Sequence, residues 1–466
     1  MTDQPLILWF RRDLRLADNP MLTAALATGR PLVPVFILDP ETQAIGAAAK
    51  WRLGLSVEDF AARLEKLGLR LILRKGPALA VLQALITEIG AAGVMWSRLY
   101  DPAAQARDAA IKADLTAKGL IARSFAGHLL FEPWTVATGT GGYYKVYTPF
   151  WRCVQTSDVA VPDPEPVSAK PPKDWPVSDK LGDWNLGSAM RRGAGVVLGH
   201  QRIGEQAALA RLASFVDQRI GPYRERRDYL AEAASSGLSE NLTYGEVGPR
   251  QVWHAGMRAL QEGAAGAEHF VKELVWREFA YHLMYHSPQI LTRNWREDWD
   301  GFAWRADNAD AERWRRGFTG EPVIDAAMRE MYVTGTMHNR ARMLVASYLT
   351  KHLLTDWRIG LDWFADCLTD WDPAANAMGW QWVAGSGPDA APYFRIFNPA
   401  TQAEKFDPDG KYRRRWLHPA SAEAASYFDA VPKAWGVRAG SPYPAPAIDL
   451  AVGRARALAA LAARKA

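Results

Sequence analysis

The chain has 466 residues, more than one hydrophobic core usually serves, so two domains or three subdomains are expected. Its formal charge of +5 and pI near 9.0 admit a nucleic acid or an anionic surface as partner without requiring either. Only Cys153 and Cys367 carry thiols, which excludes a four-cysteine metal cluster and a secreted disulfide framework; with no long apolar run and no signal-peptide pattern, a cytoplasmic protein without a membrane span is expected.

In chain order, short apolar runs at 6–10, 32–38, 70–73 and 94–96 alternate with helix-like segments such as 21–28, 50–66 and 78–89. This alternation predicts a doubly wound parallel sheet, an α/β domain over residues 1–130. No G-x-G-x-x-G follows the first strand and no G-x-x-x-x-G-K-[ST] occurs, so a nucleotide-phosphate site there is not supported; the glycines at 139–142 read as a loop. RRDLRLADN (11–19) reads as a charged strand-end loop in which Asp18 or Asn19 caps the next helix.

Six prolines between Pro162 and Pro176 mark an interdomain linker over 131–199, entered through a stretch at 143–151 that reads as strand-like or extended. From Gly204 onward apolar residues recur at helical spacing, predicting an all-helical domain over 200–466 that ends in the Ala-rich RARALAALAARKA. Of the 20 tryptophans, 13 lie after residue 250, so the second half carries an unusual aromatic load. No heptad stripe is present, and a monomer is expected.

Several patterns in the second half admit two readings. Ser235, Ser236, Gly237, Leu238 and Ser239 precede a helix-like run; they read as a simple N-cap or as an anion cradle. The 270–286 helix places Glu273, Trp276, Arg277 and Ala280 on one face, where Glu273 and Arg277 form an i,i+4 surface pair or, with Trp276, a place for a planar base. His282 and His286 have ligand spacing without a third ligand, so no metal is expected. Lys405, Lys411, Arg413, Arg414 and Arg415 form a solvated face or a phosphate-neutralising one. The densest stretch is 368–402, LTDWDPAANAMGWQWVAGSGPDAAPYFRIFNPATQ, whose carboxylates, amide and paired tryptophans interrupt any core periodicity.

Asp370-Trp371-Asp372, Asn376, GWQW (379–382) and YFRIFNP (393–399) resemble the flavin-binding core of the photolyase and cryptochrome family, most closely class I cyclobutane pyrimidine dimer photolyases of bacterial type. The resemblance covers nearly the whole chain. It implies an N-terminal antenna domain and a helical domain that binds reduced, anionic FAD and dimer-containing DNA, with no obligate protein partner. Repair would proceed by light-driven electron transfer from that flavin to the flipped dimer. By resemblance, Tyr223, residues 235–239, Phe270, Arg342, Asp370, Trp371, Asp372 and Asn376 contact FAD, with Arg342 pairing with Asp370 over the flavin ring and Asn376 facing flavin N5. Glu273, Trp276, Trp382 and Met343 join Asn376 in the catalytic set. Trp380, Trp357 and Trp304 match an electron-transfer chain, and Arg227, Glu273, Trp276, Arg277, Asn339, Arg340, Trp382 and Gln402 match DNA contacts. Enzymes for the (6-4) photoproduct carry histidine where Asn339 stands, which favours the cyclobutane substrate, and cryptochromes carry aspartate or cysteine at Asn376, which favours a repair enzyme over a blue-light receptor. A second chromophore, deazaflavin or folate, is admitted; Ala103 and Ala104 stand where folate-binding relatives carry an amide and a carboxylate.

Overall fold

A computed structural model describes residues 4–389 and 394–465. Five parallel strands, β1 (Leu6–Phe10), β2 (Leu32–Leu38), β3 (Ile72–Lys75), β4 (Gly93–Ser97) and β5 (Ile121–Phe125), form one sheet in the order β3-β2-β1-β4-β5. β1 sits at its centre, with Leu6 in register with Leu32 on one side and Gly93 on the other. Helices on both faces bury β1, β2 and β4 completely, which explains why they read as unbroken apolar runs. β3 begins two residues later than its sequence pattern indicated. β5 escaped the pattern because it is an edge strand, half-buried and polar at Arg123 and Ser124.

Asn19 caps the Pro20–Leu26 helix, accepting from Leu22 N at 3.1 Å, as the local reading of the 11–19 loop required. The same loop also packs against the helical region. Gly245 (φ +68) approaches so closely that a Cβ there would lie 2.1 Å from the Arg12 carbonyl oxygen, and Arg15 donates to the Gly245 and Gly127 carbonyls. The wholly buried ion pair Arg52–Glu246, at 2.8 Å, crosses the same interface. Ala103 and Ala104 lie in the first turn of the Pro102–Ala117 helix.

The proline-rich segment runs along the sheet domain, where Leu32 N donates to Lys170 O and Asp179 N to Leu73 O. The expectation of an extended 143–151 stretch is corrected: Tyr147–Val154 is a helix that buries Tyr147, Phe150 and Val154. Its apolar residues follow i, i+3, i+7 spacing, but two aromatics and a β-branched residue disguise it.

The remaining described chain is helical, apart from an isolated bridge between Arg305 and Thr355. It holds two large apolar cores, one around the Ala267–His286 helix and one around the Pro322–Thr334, Asn339–Ser347, Trp357–Cys367 and Pro373–Ala384 helices, with a small third cluster at Trp299, Phe302 and Leu354. Among the described residues no helix is long and apolar enough to cross a membrane.

Candidate active site

Between the two helical cores lies a cavity of about 800 Å³, walled by Phe270 and Leu274 from one and by Phe364, Trp380 and Val383 from the other. The stretch that stood out in the sequence supplies its floor. Asp372 starts the Pro373–Ala384 helix by accepting from Ala375 N at 2.8 Å, and Pro373 occupies the first turn. This start sets Asn376 and Trp380, one helical turn apart, on the face that lines the cavity. Asn376 Nδ2 donates to the Asp372 carbonyl oxygen at 2.9 Å, which fixes the amide in the wall.

Asp370 is almost fully buried and accepts from Arg342 Nη2 at 2.7 Å, while Arg342 Nε is held by the Met337 carbonyl. Asp370 Oδ1 is buried without a partner. A bare carboxylate oxygen costs about 1–3 kcal/mol or more, so it marks a place where a ligand donor belongs. On the opposite wall, Ser235 to Ser239 form a bend whose carbonyls are taken up by cations. Arg219 donates to Ala233 O and Ser235 O at 3.1 and 3.3 Å, and Arg211 donates to Gly237 O. Arg211 and Arg219 also line the cavity beside the serine hydroxyls, an arrangement suited to a diphosphate. The two arginines escaped sequence reading because nothing local ties them to a loop some 20 residues on. The donor set therefore fits FAD: an orphaned acid and an amide at one end, hydroxyls and guanidinium groups at the other.

At the mouth, Glu273 pairs with Arg227, whose guanidinium lies 5.3 Å from the Tyr223 ring centre. The expected Glu273–Arg277 surface pair is thus replaced, because Arg277 turns inward to the His128 carbonyl and Glu278. Trp276 and Trp382 are not among the lining residues. The Tyr147 ring stacks on Trp276 at 3.7 Å and 6°, and Asp389 joins the two sides by accepting from Trp382 Nε1 through its carbonyl and from Tyr147 N through its carboxylate. Met343 and Asn339 line the cavity. Trp371 packs on the apolar core instead, Arg340 is bonded to Asp228, and Gln402 lies outside the lining. Tyr393, the first residue of YFRIFNP, lies outside the described residues. Arg415 of the basic run reaches the cavity, whereas Arg413 and Lys411 are paired with Asp407 and Asp409.

Trp380 rests on the Trp357–Cys367 helix at Gly360, one turn from Trp357, where a Cβ would lie 2.0 Å from the indole. Trp357 is wholly buried and donates to Asn294 at 2.9 Å, and Trp304 is half-buried against the same core. Trp380 thus lines the cavity, Trp357 lies inside the core and Trp304 is half-buried. His286 stacks on Tyr143, His282 packs tilted against it, and both bond to the chain; no group of metal-ligating side chains occurs among the described residues.

Comparison with known proteins agrees with this geometry. The family described as the FAD binding domain of DNA photolyase matches residues 270–463, and that described as DNA photolyase matches residues 6–169. The chain is 47% identical to the deoxyribodipyrimidine photo-lyase of Agrobacterium fabrum over 99% of its own length and 98% of that protein's. It is 33% identical to cryptochrome-1 of Arabidopsis thaliana over 97% of its length and 69% of the relative's. The crystal structure of a bacterial class III photolyase from Agrobacterium tumefaciens superposes with a TM-score of 0.92 at 46% identity, covering 100% of this chain and 98% of that one. That likeness gives no support to the class I placement expected from the sequence. With both of its halves matched and its length shared end to end, the chain belongs to the photolyase and cryptochrome family and carries that family's FAD-binding domain.

Proposed function

We propose that this protein repairs cyclobutane pyrimidine dimers in DNA with light. The reading is supported by one cavity whose lining brings a flavin-type set, Asp370, Arg342, Asn376 and the 235–239 bend, together with Glu273; Trp276 and Trp382 are assigned to its mouth as part of the proposal. Reduced FAD, when bound, supplies the photoexcited electron that opens the dimer's cyclobutane bonds.

The protein's part is to hold two planar groups together and keep water out. A dimer costs less to flip from the duplex than an intact pair, since its pairing is already weakened. Trp276, backed by Tyr147, and Trp382 form the aromatic walls that receive it, and such stacking contributes about 1–3 kcal/mol per base. Glu273, half-exposed and held by Arg227, accepts a hydrogen bond from a base N–H and orients the dimer. Asn376 presents an uncharged amide where a second negative charge would oppose a reduced anionic ring. Trp380, Trp357 and Trp304 offer a route for electrons from the protein edge. Arg227, Arg277, Asn339 and Arg415 bring cationic and polar groups to the strand around the mouth.

Glu273→Ala is the direct test of the lesion site. Repair per absorbed photon is expected to fall about tenfold or more while FAD content stays within a factor of two; an unchanged yield contradicts the assignment. The likeness to a plant cryptochrome favours a second reading, a flavin-binding blue-light receptor. Flavin-loaded protein that binds dimer DNA and leaves it unrepaired under light would support that reading instead.

A further inference from the structure

A chain of buried polar groups runs behind the cavity wall and returns to the cavity at both ends. Arg277, in the lining near the mouth, donates from Nη2 to His128 Nε2 at 3.0 Å. The Tyr281 hydroxyl contacts the same imidazole nitrogen at 2.8 Å and donates to Asp372 Oδ2 at 2.5 Å. Asp372 caps the helix that bears Asn376 and accepts from the Asn376 amide through its carbonyl. His128, Tyr281 and Asp372 are each no more than 6% exposed. His128 belongs to the segment that leaves the sheet domain, and nothing in the local sequence linked it to the flavin cavity.

The proton count makes this chain two-state. A guanidinium only donates, so Nε2 must present its lone pair to Arg277. The ring also bonds to the Arg12 backbone, and burial together with Arg277, Arg12 and Arg15 keeps the imidazole neutral. Tyr281 owns one hydroxyl proton and faces two acceptors, Nε2 and Asp372 Oδ2. While Arg277 occupies the lone pair, that proton goes to Asp372. Once Arg277 is drawn away, Nε2 becomes a free acceptor and competes for it.

We infer that Arg277, His128, Tyr281 and Asp372 form a rotor relay through which capture of a DNA phosphate by Arg277 is reported to Asn376. The inference rests on the lesion site proposed above. Withdrawal of Arg277 turns the Tyr281 hydroxyl toward His128, with no net proton transfer. Asp372 then loses its strongest donor and carries a less compensated charge at the foot of the Asn376 helix. The ring that Asn376 faces therefore experiences a different field in the DNA-bound state. Tyr281 and His128 act through other residues and are positioning residues.

The test reads the absorption spectrum of bound FAD before and after addition of an oligonucleotide with one thymine dimer, with DNA binding followed separately by fluorescence anisotropy. In Tyr281→Phe, at least half of the dimer-induced absorbance difference is expected to disappear while dimer affinity stays within about twofold. In Arg277→Ala without DNA, the spectrum is expected to move toward that of the DNA-bound parent protein. Should Tyr281→Phe fold poorly, His128→Asn removes the shared acceptor and is expected to lose the same share. A full difference spectrum in a dimer-bound Tyr281→Phe or His128→Asn overturns the relay. An unmoved spectrum in Arg277→Ala overturns it without any reference to DNA. If the parent protein shows no preference for dimer DNA, the proposed lesion site fails instead, and the Arg277→Ala arm still decides the relay.

Discussion

Gly360→Ala tests the packing that places Trp380 at the cavity wall. The added Cβ would lie 2.0 Å from the indole Cη2 and 2.4 and 2.7 Å from its neighbours, all in the ring of Trp380. Carbon atoms settle at about 3.5–4.0 Å, so the indole must retreat by roughly 1.5 Å. Alanine gains about 1 kcal/mol of helix propensity over glycine, whereas overpacking a filled core costs about 1–3 kcal/mol. The net loss of stability is therefore small, about 0–2 kcal/mol, and the larger effect falls on function. Trp380 moves relative to both the cavity and Trp357, and photoreduction of oxidised flavin is expected to slow by up to about a hundredfold, the order seen when a reacting group is displaced by an ångström. Thermal melts followed by circular dichroism give the stability, and stepwise illumination with a mild electron donor gives the photoreduction rate. A variant about 1 kcal/mol more stable than its parent that photoreduces at the parent rate would refute both the packing and the proposed electron route.

Arg342→Leu leaves Asp370 buried with neither oxygen paired, so flavin affinity and apoprotein stability should both fall, the latter by about 2–4 kcal/mol; FAD titration and urea melts measure them. Glu330, which accepts from Tyr412 OH at 2.5 Å, is pushed up to about 7 by desolvation. An acid raised on folding stabilises below its unfolded value near 4.5 and loses that contribution as pH climbs to about 7, roughly 3 kcal/mol in all. Glu278 and Glu321 are raised to about 7 by the same cause, whereas His282, His338 and His352 are lowered to about 4 and add stability as pH climbs to about 6.5, so Glu330→Gln should lift stability at pH 8 relative to pH 5 by about 3 kcal/mol compared with the parent. Arg52→Met strands Glu246 at the domain interface and should cost about 3–5 kcal/mol, with much of the loss recovered in Arg52→Met combined with Glu246→Leu, as read by thermal melts.

Sequence patterns carried the sheet well wherever a strand was buried on both faces, since β1, β2 and β4 need apolar residues at every position. They failed at β5, whose edge position leaves it polar, and at Tyr147–Val154, where bulky residues that favour strands form a short helix held by its burial against the Ala267–His286 helix. The floor of the cavity was legible because Asp370, Asp372, Asn376 and Trp380 lie within a dozen residues, so one helix start organises them. Its opposite wall was only half legible. The 235–239 bend could be read as an anion cradle or a cap, but Arg211 and Arg219 reach it across space. Glu273 shows how one-dimensional reasoning misassigns a partner: i,i+4 spacing points to Arg277, while Arg227 arrives from another helix. His128 and Glu330 left no sequence signal, as their main partners Tyr281 and Tyr412 lie more than 70 residues away.

The most direct measurement is repair of an oligonucleotide that bears a single thymine cyclobutane dimer, with FAD-loaded, chemically reduced protein under blue light and a matched dark control. Recovery of intact thymines is expected in the light sample alone, with Glu273→Ala much weaker. Dimer that is bound yet remains intact after illumination of fully reduced protein would contradict the repair function.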